Sequence, residues 1–297
     1  MSHWKLILAY DGTPYNGWQI QPNLPTVQGS LADAIHHVTG EHVLPQGSGR
    51  TDTGVHALGQ VASFTLASPI PPANLQRALN RILPTSIRVV AAEEAPESFH
   101  ARHSARSKTY EYRIASQAVC FPMLAPFVWN CTWPLDLEQM QKAAEHVIGT
   151  HDFTSFAATD PELSMREPAS EEVVTTSSGR HRIVAEAAAG TQLALEDEQP
   201  PKTFIRTIYQ STWRRRGDLL CYMVTGSGFL HHMVRNLVGT FVDVGRGRTP
   251  ADSIPSVLAA CSRSAAGPTA PPQGLFLVEV HYDPEEQSIA PARDIAM

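Results

Sequence analysis

The sequence lacks the signatures of several common protein classes. No stretch approaches the roughly 20 unbroken apolar residues that a membrane-spanning helix requires. The four cysteines stand apart without a CxxC pair, so neither a zinc site nor a disulfide framework is indicated. GxGxxG, GKS/GKT and GxSxG motifs are missing, which argues against dinucleotide, triphosphate and serine-hydrolase sites. The first ten residues enter an alternating strand pattern at once, unlike a signal peptide, so we expect a cytoplasmic protein.

The chain also lacks a positive net charge. Its formal charge is −6, which argues at first against nucleic acid, because phosphate binding depends on lysine and arginine. The distribution of charged residues along the sequence, however, is compatible with nucleic-acid binding. Acidic residues concentrate in 160–199 and after 278, whereas basic residues concentrate in 100–113 and 202–248. A basic face can therefore exist on an acidic protein, and RNA would contact that face.

The most distinctive stretch that is present runs from Gly47 to Ala57 and reads GSGRTDTGVHA. Three glycines surround Arg50 and Asp52, and glycine permits positive φ and close approach of the backbone. A carboxylate beside a guanidinium stays ionised at neutral pH, so Asp52 is available as a nucleophile or a base. The alternative, a hairpin loop with a surface ion pair, has about equal weight on residue types alone.

Periodicity predicts an α+β protein. We expect two similar α/β-sandwich halves that form one continuous, mainly antiparallel sheet flanked by helices, with a central active-site cleft. The first half is 1–104 and carries the aspartate loop. The second is 105–284, with an enlarged acidic insertion near 158–202, and 285–297 is a disordered tail.

Four local predictions bear on the site or can be checked directly. A helix runs from its cap Thr26 to Thr39, and a later one is closed by Gly149. A strand over Thr109–Ile114 places Tyr110 on one apolar face, where it either packs in the core or stacks on a base. A helix over Phe229–Val242 carries Arg235 at the border of its apolar stripe, where the guanidinium needs a partner.

His231 and His232 raise the question of a metal. On the predicted helix, adjacent side chains point about 100° apart and cannot both face one ion. There is also no HExxH motif. The sequence therefore predicts no metal at this pair.

Seven segments in order, spread over Trp4 to Tyr282, match one pattern, and the chain resembles the tRNA pseudouridine synthase A family. The matching segments are YDG with YNGWQ (10–19), GRTDTGVHA (49–57), FHAR (99–102), KTYEY (108–112), HDFTSF (151–156), FLHHMVRN (229–236) and PPQGL (271–275). Two departures are Thr53, where the family usually has alanine, and the longer segment from 158 to 202.

The resemblance implies an isomerase that converts uridine to pseudouridine at positions 38 to 40 of the tRNA anticodon stem-loop. It implies a homodimer without cofactor or metal. Asp52, Tyr110 and Arg235 are the expected catalytic residues. The expected substrate-binding residues are Arg50, Tyr110, Arg102, Arg106, Lys108 and Leu275.

Two rival functions remain open from the sequence. A tRNA-binding or tRNA-folding module without chemistry would need the basic segments but not Asp52, and an acid in a phosphate-facing loop weakens pure binding. A metal hydrolase would be built on the histidines, and full activity in the presence of a chelator would exclude it.

Overall fold

The computed structural model describes residues 1–158 and 203–283. The predicted acidic insertion, apart from residue 158, and the predicted tail lie outside the described residues. The strands are β1 (Ser2–Tyr10), β2 (Gln46–Gly47), β3 (His56–Leu66), β4 (Ile87–Ala95), β5 (Ser107–Ala115), β6 (Trp129–Asn130), β7 (Gly149–Asp152), β8 (Ile205–Arg216), β9 (Leu219–Gly226) and β10 (Leu275–His281). The α-helices are α1 (Val27–Thr39), α2 (Pro72–Ile82), α3 (Leu137–Glu145), α4 (Met233–Gly245) and α5 (Ile254–Ala259).

The ten strands found within the described residues belong to one sheet. The order is β4-β1-β3-β10-β5-β9-β8-β7, with β2 paired to β3 and β6 to β5. The pairings are antiparallel except β3 with β10 and β5 with β6. This architecture confirms the predicted α+β class with a continuous, mainly antiparallel sheet. The division into halves at residue 104 stays a prediction.

The helix ends follow the capping rules that the sequence signals. Thr26 accepts a hydrogen bond from the Gly29 amide at the start of α1, and Gly40 ends that helix in the left-handed region with φ of 76°. Asp136 caps α3 in the same way through the Gln139 amide. Helix α1 packs beside α2, and α3 beside α4. Within residues 1–158 and 203–283, no helix is long and apolar enough to cross a membrane.

Two predicted boundaries were wrong. Helix α4 begins at Met233, not at Phe229, because His232 has φ of 58° and ψ of 3°. That left-handed conformation interrupts a right-handed helix. Helix α3 ends at Glu145, and Gly149, predicted as its stop, is the first residue of β7. With φ of 109°, Gly149 turns the chain so that β7 can pair with β8.

Strand β5 is central and buried on both faces. Tyr110, Tyr112 and Ile114, which the sequence places on one face of this strand, are all buried. The alternate residues Glu111 and Arg113 are charged, yet they are only 4% and 5% exposed. They form an ion pair with each other, and Glu111 also pairs with Arg216. Their mutual charge compensation explains how a strand with a polar second face can occupy the middle of the sheet.

Candidate active site

Asp52 lies in the hairpin connection between β2 and β3. The Val55 amide donates to the Asp52 carbonyl at 3.1 Å, and Gly54 has the positive φ of 75° that a type II turn requires at its third position. At the other end of the connection, the Gln60 side chain accepts a hydrogen bond from the Ser48 hydroxyl and donates one to the Gly49 carbonyl. Both ends of the loop are thus fixed to β3, so the position of Asp52 is defined by the sheet.

The loop between β1 and α1 braces this hairpin from the side. The Trp18 amide donates to the Thr51 carbonyl at 3.0 Å, and the Tyr10 hydroxyl bonds the Thr51 hydroxyl at 2.8 Å. Gly17 has φ of 84°, and a Cβ there would lie 2.4 Å from the Thr51 carbonyl oxygen. The close approach of the two loops therefore requires glycine at position 17.

Arg235 reaches Asp52 from the other side of the site. It lies in the first turn of α4, where its Nη1 donates to Asp52 Oδ2 at 2.9 Å and its Nε donates to the Ala270 carbonyl at 2.8 Å. Its side chain is 12% exposed, and that of Asp52 is 23% exposed. The planar guanidinium thus joins the first turn of α4, the segment before β10 and the β2–β3 hairpin.

His231 and His232 also face Asp52, which corrects the reasoning from helical geometry. Both residues precede α4, and their ring centroids lie 3.9 Å apart with the ring planes tilted by 32°. His231 Nε2 lies 3.5 Å from Asp52 Oδ1, and His232 Nε2 lies 3.2 Å from Oδ2. The left-handed backbone of His232 allows the two adjacent imidazoles to point to the same carboxylate, which a helix would forbid.

The surroundings favour the charged form of Asp52. Burial acts to raise the pKa of this carboxyl group. The hydrogen bond from His231, the charge of His232 when protonated and the guanidinium of Arg235 together outweigh burial, so the pKa lies below its ordinary value. Burial lowers the pKa of His232, which favours its neutral form at neutral pH. Asp52 is therefore an ionised group at neutral pH, stabilised by the hydrogen bond from His231 and by the permanent cation of Arg235.

Tyr110 lies on β5 close enough to Asp52 for their charges to interact. Burial raises the pKa of Tyr110 well above its usual value, and Tyr10 and Asp52 raise it further. The ring contacts Phe229 edge to face at 5.0 Å. Within the described part of the chain, its hydroxyl has no hydrogen-bond partner. Tyr110 therefore presents a protonated hydroxyl near the carboxylate. Leu275 is buried at the start of β10, opposite Tyr112 on β5.

Three of the four predicted basic contacts converge beside the hairpin. Arg50 and Arg102 line one shallow pocket together with Trp18 and Gln46. Lys108 Nζ donates to the Ser48 carbonyl at 2.6 Å. Burial, with a smaller effect of the Arg102 charge, lowers the pKa of Lys108 to about 8. These cations form a positive surface beside the hairpin that carries Asp52.

Arg106 lies apart from this cluster. Its Nε donates to both carboxylate oxygens of Asp283 and its Nη2 donates to Oδ2, and the side chain is 70% exposed. Its charge is therefore already partly compensated at the surface.

Sequence reasoning missed three side chains that shape the site. His231 and His232 were considered only as metal ligands, although they belong to the same segment as Arg235, which was the available signal. His56 was not singled out. It accepts a hydrogen bond from the Gly12 amide at 3.0 Å and donates to the Pro126 carbonyl at 2.9 Å. Its ring stacks on Phe276 at 4.7 Å, where β3 meets β10.

The fold and the site together define a class of protein: an α+β enzyme that holds one ionised aspartate beside a tyrosine and a basic surface suited to RNA. Comparison with known proteins agrees with this class and narrows it. The chain belongs to the tRNA pseudouridine synthase family, whose model matches residues 6–104 and 191–283.

Individual relatives agree over nearly the whole length. A tRNA pseudouridine synthase A of Solibacter usitatus is 43% identical over 94% of this chain and 98% of its own length. Proteins of the same name from Thermoanaerobacter sp. and Moorella thermoacetica are each 39% identical, over 95% and 94% of this chain and 100% and 98% of their own lengths.

Proposed function

We propose that Asp52 is the catalytic carboxylate of a reaction that converts uridine to pseudouridine at positions 38 to 40 of the tRNA anticodon stem-loop. Family membership makes the reaction an isomerisation of uridine in tRNA. The N1–C1′ bond breaks, a C1′–C5 bond forms, N1 gains a proton and C5 loses one, so no second substrate is consumed. The observation that carries the role of Asp52 is its ionised carboxylate, fixed by Arg235 at 2.9 Å within a basic surface.

Each neighbour has a proposed part in this reaction. The uridine leaves the base stack to be reached, at a cost of a few kcal/mol. Tyr110 stacks on the uracil and assists removal of the C5 proton, which its partner-free hydroxyl supports. Arg235 keeps Asp52 ionised and oriented. Asp52 then adds to C1′, adds to C6 or takes a proton from C2′, three routes that share the same carboxylate.

The RNA approaches along the positive surface beside the hairpin. Arg50 enters the space vacated by the base, and Arg102 and Lys108 bind neighbouring phosphates. The convergence of these three cations supports that path. Arg106 contributes less, because a phosphate has to compete with Asp283 for its guanidinium. Leu275 contacts the base from the start of β10.

The test is Asp52→Asn assayed on an unmodified anticodon stem-loop. The substitution keeps the shape of the side chain and removes the charge, so we expect pseudouridine formation to be lost while RNA binding remains. Thr53→Ala is the matched control, because Thr53 is the exposed neighbour of Asp52. Wild-type activity of Asp52→Asn would refute the assignment and favour a binding module. Mapping pseudouridines in tRNA from cells without the protein tests the positions.

We also propose that the enzyme is a homodimer in the cytoplasm, where tRNA is processed. Three strongly exposed apolar side chains in the connection after β5 offer an interface: Val119, Phe121 and Met123 are 78%, 68% and 84% exposed. Light scattering of the wild type tests whether the protein is a dimer, and light scattering of Phe121→Asp tests whether this surface is the dimer interface. A monomeric wild type would refute the dimer, and a dimeric variant would refute this interface.

A further inference from the structure

The geometry around Asp52 points to a site for a divalent transition metal ion, and we propose that Zn²⁺ binds Asp52, His231 and His232 and thereby inhibits the enzyme. Among the histidine, cysteine, aspartate and glutamate side chains of the described ranges, these three form a group whose ligand atoms all lie within 4.8 Å of one another. One carboxylate oxygen and two imidazole nitrogens are ligands that zinc commonly takes.

The separations suit zinc in particular. His231 Nε2 lies 3.5 Å from Asp52 Oδ1, and His232 Nε2 lies 3.2 Å from Asp52 Oδ2. Metal–ligand distances of about 2.0 to 2.2 Å in a tetrahedral site place neighbouring ligand atoms about 3.3 Å apart. Each imidazole thus already lies at about this distance from one carboxylate oxygen, and all the ligand atoms lie within 4.8 Å of one another, so a small adjustment brings them around one ion. Mg²⁺ prefers six oxygen ligands, so the magnesium of a tRNA assay does not suit this site.

The positive charge of Arg235 opposes the binding of a cation, but its hydrogen bond occupies only one of the two Asp52 oxygens. Its Nη1 bonds Oδ2, which leaves Oδ1, the oxygen nearer to His231, for the metal. A hydrogen bond to the second carboxylate oxygen is a common outer-shell arrangement in metal sites. The nearby positive charge makes us expect weaker binding than at a structural zinc site. The three side chains are between 23% and 31% exposed, so an ion can enter from solvent with a water as fourth ligand.

The consequence for activity rests on the proposed function of Asp52. A zinc ion on Oδ1 neutralises the carboxylate and occupies the space that the uridine must enter. Zinc is therefore expected to be an inhibitor that competes with RNA. His231 and His232, which hold Asp52 through their Nε2 atoms in the absence of metal, become ligands in its presence.

The direct test is titration of the whole protein with Co²⁺, whose visible absorption reports a tetrahedral site with nitrogen and oxygen ligands. We expect one equivalent to bind the wild type, and the signal to be lost in His231→Ala, His232→Ala and Asp52→Asn. His36→Ala is the control, because His36 and His42 form another close ring pair, with centroids 3.7 Å apart, on α1 and the segment after it. The control is expected to keep the signal. Absence of the signal in the wild type, or its persistence in both His231→Ala and His232→Ala, would overturn the proposal.

A second measurement follows inhibition. Pseudouridine formation by the wild type should fall toward zero as Zn²⁺ saturates the site, recover on addition of a chelator, and require more Zn²⁺ at higher RNA concentration. Each histidine variant is compared with its own rate without zinc, and that ratio should stay near one. If the wild type binds cobalt but Asp52→Asn is still active, the metal site stands and the proposed function of Asp52 is refuted. If Asp52→Asn is inactive but the wild type binds no cobalt, the proposed function of Asp52 stands and the metal site is refuted.

Discussion

Replacement of Arg235 isolates the interaction that we consider most important for Asp52. Arg235→Met removes the cation but keeps an unbranched side chain of similar length, whereas Arg235→Lys keeps a cation. The lysine cannot bond both Asp52 and the Ala270 carbonyl in the planar geometry of the guanidinium, whose two bonds are 2.9 and 2.8 Å long. The pair of variants therefore separates the effect of charge from the effect of orientation.

The structure gives the size of the expected effect. A hydrogen bond to a charged group contributes about 1.5 to 3 kcal/mol when it is little exposed, and both side chains here are less than a quarter exposed. If this energy orients Asp52 in the transition state, its loss slows the reaction by roughly 10- to 150-fold, because about 1.36 kcal/mol corresponds to a factor of ten in rate. We expect Arg235→Met to fall in this range and Arg235→Lys to fall near its lower end.

The pH dependence has a definite sign. The pKa of Asp52 is lowered in the folded protein, with Arg235 among the causes. Its contribution to stability is therefore fully present above the unfolded pKa and is lost as pH falls through the lower, folded pKa. In Arg235→Met the folded pKa rises, so activity is lost at a higher pH than in the wild type. In Arg235→Lys this acidic limb should remain near that of the wild type.

The assay is release of tritium from C5-labelled uridine in an anticodon stem-loop, under single-turnover conditions and over acidic to neutral pH. Thermal unfolding of each variant and of Thr53→Ala separates a rate effect from loss of folded protein. A folded Arg235→Met enzyme with the rate and the acidic limb of the wild type would show that Arg235 does not act through Asp52.

Four further substitutions test the surroundings of the site. Gly17→Ala should reduce stability to urea by about 1 kcal/mol or more and slow catalysis, because the new Cβ meets a carbonyl oxygen at 2.4 Å in a strained backbone; unchanged stability would contradict the close packing. Tyr110→Phe should bind RNA as the wild type does in a filter assay but release tritium about a hundredfold more slowly or worse, if its hydroxyl moves a proton. Wild-type RNA affinity should weaken as pH rises through about 8, where Lys108 loses its proton, and Lys108→Arg should abolish this dependence; an equal dependence in both proteins would exclude Lys108 as a phosphate ligand. Thr53→Ala should stay within about 0.5 kcal/mol of wild-type stability, as exposed positions usually do, and a large loss in a melting curve would contradict its exposure.

Local patterns sufficed for most helices and strands because their signals lie within a few residues. Thr26 and Gly40 lie at the two ends of α1, as capping chemistry requires. The alternation of residues around Tyr110 predicts β5. The same reasoning failed where a distant contact decides the local backbone. The apolar stripe of α4 continues back to Phe229, yet the helix starts at Met233 because His232 adopts a left-handed conformation while its ring faces Asp52, 180 residues earlier.

The sequence by itself determined the composition of the site and the family pattern. An aspartate in a glycine-rich hairpin, a strand tyrosine and a helix arginine are all readable from residue types and spacing, because each lies in a short segment with its own signal. Only the tertiary structure decided how they meet. Strand β10 pairs with β3 on one side and with β5 on the other, which brings segments far apart in sequence into one sheet. Helix α4 packs on this sheet through Phe241 against Trp213 and Tyr222, and it places Arg235 and the two histidines that precede it beside Asp52. Such contacts depend on the energy of the whole core, which no local pattern records. For that reason the sequence could not distinguish a catalytic hairpin from a surface turn. The structure distinguishes them by placing a guanidinium and two imidazoles around the Asp52 carboxylate.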